Sequence, residues 1–144
     1  MNFELTASMM CANFGNLEKE VKELEAAGID SFGHWGAIRG GDDTYAVLGC
    51  GPDVCYPKGG RELYERILSC GGILSEYLPQ TAPDAWRFPA RNRIISGLAD
   101  IVVVVEAKKK SGSLITADFA LEQGKDIYAV PGRINDVLSE GCNA

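Results

Sequence analysis

A single histidine, His34, stands in 144 residues, and no two of the five cysteines form a C-x-x-C pair. With so few soft ligands a zinc centre or dithiol site has little to be built from. Cys50 and Cys55, the closest pair, read as reduced, packed thiols, as do Cys11, Cys70 and Cys142. Basic residues are also scarce, 14 against 20 acidic, for a net charge of -6. That excludes a protein that coats nucleic acid by bulk charge, so any anion site must be local. No apolar run approaches the roughly 18 residues of a membrane span, and neither a signal peptide nor a low-complexity tract appears. A cytoplasmic, non-membrane protein is expected. The length suits one domain, residues 1–144, that needs no disulfide stapling.

What is present is centred on Ile101-Val102-Val103-Val104-Val105, an unbroken β-branched run of the kind that forms a central parallel strand buried on both faces. A helix is expected before it, over 89–98, and another after it, over 114–123. Upstream, Phe3–Ser8 reads as a short strand. Asn16 caps a helix carrying Leu17, Val21 and Leu24, with Glu18 and Lys22 paired and Gly28 ending it. The segment 28–32 is a short strand or, as preferred, a turn leading to a helix over 32–39. The strand Tyr45–Leu48 then stops at Gly49-Cys50-Gly51. A helix with Leu63, Ile67 and Cys70 on one stripe, and Glu62 paired with Arg66, ends at Gly71-Gly72. Strands Ile73–Ser75 and Ile127–Val130 complete the pattern. The spacing of the strands predicts an α/β fold: a three-layer, Rossmann-like or flavodoxin-like sandwich with a mostly parallel sheet of about five strands and helices on both faces.

Candidate chemistry gathers where strands end, because ligands in such sheets lie beyond the carboxyl ends, beside helix N-termini. Ser111, Gly112 and Ser113 fall at that place, just after Lys108, Lys109 and Lys110. The lysines are either a solvated turn or phosphate contacts, and Ser113 is either a ligand or a helix cap. Arg91 and Arg93 fall in the first turn of the expected helix, where a cation is unfavourable by roughly 0.3–1 kcal/mol. An anion held by Arg91, Asn92 and a neighbouring loop would explain them; surface solvation is the alternative. Gly49-x-Gly51 is a turn that invites phosphate, although Pro52-Asp53 does not open the helix that a dinucleotide fingerprint requires. The segment 77–88, with Pro79 and Pro83, is long enough to be a functional or mobile loop. Trp35, Tyr56, Tyr77 and Trp86 are either base-stacking faces or, as is commoner for aromatics, core and loop anchors. Trp86 is the best placed, beside Arg87. His34 has no partner at dyad spacing and reads as structural.

From Gly28 onward the chain resembles the Rossmann-like core of the DNA-processing protein A (DprA/Smf) family. The likeness is carried by Gly28-Ile29-Asp30, His34-x-Gly36-Ala37, Ala46-Val47-Leu48-Gly49-Cys50-Gly51-x-Asp53, Tyr56-Pro57 and Ser75-Glu76-Tyr77. It continues through Phe88-Pro89-x-Arg91-Asn92-Arg93-Ile94-Ile95-Ser96-Gly97-Leu98, Ser111-Gly112-Ser113-Leu114-Ile115-Thr116-Ala117, Pro131-Gly132 and Ser139-x-Gly141-Cys142-Asn143. The resemblance implies a single-stranded DNA-binding protein of natural transformation and recombination that helps load a RecA-type recombinase, with no catalytic residue, metal or cofactor and with a homodimer as one possible state. Residues 1–32 instead resemble the opening βα unit of ribulose-phosphate 3-epimerase, through Leu5-Thr6-x-Ser8-Met9-Met10-Cys11-Ala12, Phe14-Gly15-Asn16-Leu17 and 23–32. A recombined or engineered chimera is therefore expected. It lacks the family's Gly-Ser-Arg phosphate turn and so binds DNA weakly. The rival expectations are a chimeric fold without activity and a small phosphate or nucleotide binder. Epimerase turnover is expected to be absent, because Gly33-His34-Trp35-Gly36 replaces the metal-binding His-x-Asp. The family continues beyond the Gly-Cys-Asn at which this chain closes, so self-association segments are expected to be incomplete.

Overall fold

The computed structural model describes residues 6–8, as backbone, and 31–144. Cys11, the helix expected over 17–27 with its Asn16 cap, the Gly28–Asp30 turn and nearly all of the epimerase-like opening lie outside the described residues. The elements run β1 (Thr6–Ser8), α1 (Ser31–Gly40), β2 (Tyr45–Leu48), α2 (Arg61–Cys70), β3 (Gly72–Ser75), α3 (Arg87–Leu98), β4 (Ile101–Val104), α4 (Gly112–Glu122) and β5 (Asp126–Ala129). Single 3-10 turns lie at Lys58–Gly60 and Val137–Ser139. No helix among the described residues is long and apolar enough to cross a membrane.

The chain divides into two compact units, one of residues 1–9 and 89–144, the other of residues 10–88. In the first, β4 is the central strand expected, paired in parallel with β1 on one side (Thr6 opposite Ile101) and β5 on the other (Ile101 opposite Asp126). In the second, β2 and β3 pair in parallel, with Tyr45 opposite Gly72. The α/β class and the parallel pairing therefore stand, but the described strands form a three-stranded and a two-stranded sheet and not one sheet of five.

Burial along β4 also departs from the expected double-sided pattern. Val102 and Val104 are buried with Ala99, Ala107 and Ala120, while Ile101 and Val103 are half-buried. Leu114, Ala117 and Ile127 close over this core as α4 packs on β4 and β5. In the other unit Ala46, Leu48, Cys50, Leu63 and Ile67 form the core, with Trp35, Ile38 and Tyr56 against it. On the expected stripe of α2, Leu63 and Ile67 are thus buried as its period requires, while Cys70 is half-buried. Its exposed ion pair is Arg61–Glu65 at 3.0 Å, and the expected Glu62–Arg66 pair is not formed among the described residues. Such surface pairs contribute little, so either register satisfies the helix.

Candidate nucleic-acid interface

Beyond the carboxyl end of β4 the chain passes buried Ala107 and half-buried Lys108, then exposes Lys109 and Lys110 before α4 begins. Ser111 is the extended residue before the helix (φ -111°, ψ 157°), and its carbonyl accepts from the Leu114 N–H at 3.2 Å. Its side chain does not cap the helix, and its Oγ is buried with no hydrogen-bond partner. The N–H groups of Gly112 and Ser113 belong to the first turn, which has no intrahelical acceptors. Around them lies a surface concavity of about 560 Å³, lined by Lys109, Lys110, Ser111, Gly112, Leu114, Ile115, Asp118, Gly141 and Ala144. Lys109, Lys110 and a helix N-terminus share this concavity with Asp118, and the free N–H groups of such a terminus favour an anion.

The helix before the strand supports this place from behind. α3 begins at Arg87, two residues earlier than Pro89 suggests, so Arg91 stands in the second turn and the premise of a cation at a helix N-terminus fails. Arg91, Asn92 and Ser96 are its buried residues. Arg91 Nε donates to Asn92 Oδ1 at 3.2 Å, and Asn92 Nδ2 donates to the Gly112 carbonyl at 3.3 Å, which ties α3 to the start of α4. Arg91 is therefore not a solvated surface residue. Arg93 is exposed, and its carbonyl accepts from Gln123 Nε2 at 2.9 Å, joining the far end of α4 to the same helix. Of the expected residues, the structure gathers Lys109, Lys110, Ser111 and Gly112 round one concavity, and Asn92 bonds the Gly112 carbonyl. Lys108 and Ser113 are chain neighbours that do not line it.

The far wall comes from residues whose role was not legible. Gly141 donates its N–H to the Ala107 carbonyl at 2.7 Å, so close that a Cβ would meet the Ala107 and Lys108 carbonyls at 2.8 Å. Asn143 accepts from the Gly132 N–H at 3.1 Å and donates to the carbonyls of Gly132 and Arg133 at 3.4 Å. The two motifs Pro131-Gly132 and Gly141-Cys142-Asn143 are thus halves of one clamp. Asparagine beside glycine is the available sequence signal, since its amide bonds readily to main chain. Burial pushes the Cys142 thiol up, Glu106 adds to this and a backbone hydrogen bond at Ala107 opposes it. The group stays protonated and is no thiolate ligand. No group of three metal-binding side chains occurs among the described residues.

Gly49 and Gly51 lie in the other unit, where both serve close packing. A Cβ on Gly49 would meet the Phe88 ring at 2.9 Å, and one on Gly51 the Leu78 carbonyl at 2.7 Å. Because the Gly51 N–H already donates to Thr81 O at 2.9 Å, it is not an open phosphate donor. Asp53 Oδ1 accepts from the Gln80 N–H at 2.7 Å, and Ser75 Oγ donates to the Cys50 carbonyl at 2.6 Å while accepting from Tyr77 N. The 77–88 loop is thereby pinned. Arg87 completes it, bonded to the Ala82 carbonyl and paired with Asp84 at 3.1 Å, its guanidinium 5.0 Å from the Tyr77 ring centroid and 5.1 Å from that of Trp86. Trp35 and Tyr56 pack on the core, and His34 Nδ1 bonds Thr44 Oγ1 at 2.7 Å. Among the described residues Cys50, Cys55 and Cys70 form no disulfide, and burial pushes the Cys55 thiol up against the pull of Arg61.

Parallel strands, each followed by a helix where the chain is described, place the protein in the α/β class. The chain belongs to the DNA recombination-mediator protein A family, whose pattern matches residues 25–144. It is 44% identical over 150 aligned residues to DNA processing protein DprA of Streptococcus pneumoniae, covering 96% of this chain and 53% of that protein. It is 46% identical to Protein Smf of Escherichia coli, covering 81% of this chain and 31% of that one. The X-ray structure of the S. pneumoniae protein superposes with a TM-score of 0.74 at 39% identity, over 95% of this chain and 53% of that one. DNA processing protein A from Helicobacter pylori, described for its single-stranded DNA binding mode, gives 0.65 at 35% identity, over 69% and 46%. The chain spans about half or less of the length of these relatives.

Proposed function

We propose that this chain is a single-stranded DNA-binding module that holds the phosphate backbone at the N-terminus of α4. The observation that carries the proposal is the convergence of Lys109, Lys110, Ser111 and Gly112 on one 560 Å³ concavity in a chain of net charge -6. Lys108 and Ser113 flank the site in the chain and Arg91 and Asn92 position the helix entrance, while Arg93, bonded through its carbonyl to Gln123 at the far end of α4, is a separate cation. The described DNA binding of the H. pylori relative supports the same ligand. Affinity is weak, because residues 1–32 contain no Gly-Ser-Arg turn to add a backbone nest and an arginine. The module works by binding, without turnover, metal or cofactor, and its further partner is a RecA-type recombinase. On this view its opening segment is a chimeric replacement; the S. pneumoniae alignment, at 96% of the chain, runs into that segment as well.

Charge removal tests the site. In anisotropy titrations with fluorescent oligo-dT, the double variant K109Q/K110Q is expected to weaken binding at low salt. It should also flatten the plot of log affinity against log salt by about 1.4, since each phosphate contact to a single strand contributes about 0.7. A free nucleotide titrated in parallel separates the rivals. Saturable nucleotide binding with shallow salt dependence indicates a small phosphate binder, and no binding to either ligand indicates a fold without activity. Wild-type slope in the double variant would remove the lysines from the interface.

A further inference from the structure

We infer that the 77–88 loop carries a stacking platform for one unpaired nucleobase on the exposed indole of Trp86, an inference that rests on the single-stranded DNA reading above. Trp86 is 64% exposed. Tryptophan is highly buried on average, so an indole left in water forgoes much of the burial that stabilises a fold. Here the ring is nevertheless held in place, with the Arg87 guanidinium over it at 5.1 Å.

That guanidinium is itself fixed from three sides, by the Ala82 carbonyl, by Asp84 Oδ2 at 3.1 Å and by the Tyr77 ring at 5.0 Å. Its Nε is buried without a hydrogen-bond partner. An unsatisfied buried donor is destabilising, so the cation is placed for the two rings at the expense of its own hydrogen bonding. A ring ordered in advance loses little side-chain freedom on binding, and the face turned away from the guanidinium is left for a planar partner. Nucleobases suit it because every base has a π-face. A protein partner suits it poorly: the exposed large apolar side chains of this loop are Leu78 and Trp86 alone, far short of the roughly 800 Å² per side that a stable protein interface buries.

The test compares oligo-dT with an abasic oligonucleotide of the same length, which keeps the phosphates and lacks the bases. The wild-type chain is expected to prefer oligo-dT, and its tryptophan emission to be quenched on binding. W86A should lose about tenfold in oligo-dT affinity, within the range for one stacked base, with abasic affinity unchanged. W86F, which keeps a ring and guards against misfolding of the alanine variant, should retain most of the base preference while losing the quench. Equal wild-type affinity for the two oligonucleotides, or undiminished oligo-dT preference in W86A, would overturn the platform and leave the phosphate interface standing. Failure of the wild type to bind either oligonucleotide would overturn both.

Discussion

Gly71→Ala is expected to destabilise the protein by about 3 kcal/mol or more, the upper range for forced overpacking, and to lower the melting temperature by roughly 10 °C. A Cβ at this position would stand 1.8 Å from the Thr44 carbonyl oxygen, 2.7 Å from its carbon and 2.9 Å from its nitrogen. All three are main-chain atoms and cannot rotate away. The Thr44 carbonyl accepts the Gly72 N–H at 3.2 Å, just where β3 begins to pair with β2, and the Thr44 hydroxyl is held by His34 at 2.7 Å. Any shift that admits the methyl group therefore disturbs the strand register, the histidine contact or both. Gly59→Ala is the control, because a Cβ there meets nothing within 4 Å. Differential scanning calorimetry of the two variants decides the matter; a Gly71→Ala midpoint within about 2 °C of the parent would show that the backbone yields far more cheaply than this geometry allows.

Gly71 also illustrates what could be read in advance. As half of Gly71-Gly72 it is legible as a helix stop, because glycine is the residue that ends helices at least cost. Its contact with Thr44 is not legible, since it joins residues on different elements. The strands divide in the same way. Tyr45–Leu48 is bounded by turn residues on one side and glycine on the other, so its limits are local and match the structure. The division into two sheets is a matter of long-range pairing, and periodicity reports burial without naming the neighbour.

The concavity was half legible for a similar reason. Lys109 to Gly112 are contiguous and announce a helix entrance, whereas Gly141 and the Asn143 clamp reach it from some thirty residues downstream. The start of α3 was misplaced because Pro89 draws the boundary to itself. Proline is tolerated throughout a first turn, whose N–H groups have no acceptor in the helix, and here the turn opens earlier, with Arg87 N–H on the Asp84 carbonyl at 3.0 Å. Those two residues decide whether Arg91 faces an anion at a helix end or lies within the fold.

Arg91→Ala is accordingly expected to act on stability first. Arg91 is 8% exposed and Asn92 9%, and their bond at 3.2 Å is the first link of a chain that continues to the Gly112 carbonyl at 3.3 Å. Truncation removes a donor from a buried amide oxygen and the aliphatic stem packed beside it. Together these cost about 2 to 3 kcal/mol, or several degrees in melting temperature. Arg91→Lys should fall between, since it keeps the stem and charge but not the planar fork that meets the amide. Oligo-dT affinity, measured well below the melting transition, should fall by less than about twofold, because the phosphate contacts are assigned to Lys109, Lys110 and the α4 entrance, and Asn92 still bonds Gly112. The converse pattern is equally specific. An unchanged melting temperature with affinity reduced by about 1 to 3 kcal/mol, the range for a lost charge-assisted hydrogen bond, would mean that Arg91 turns outward to hold a phosphate and that its burial does not persist when DNA is bound.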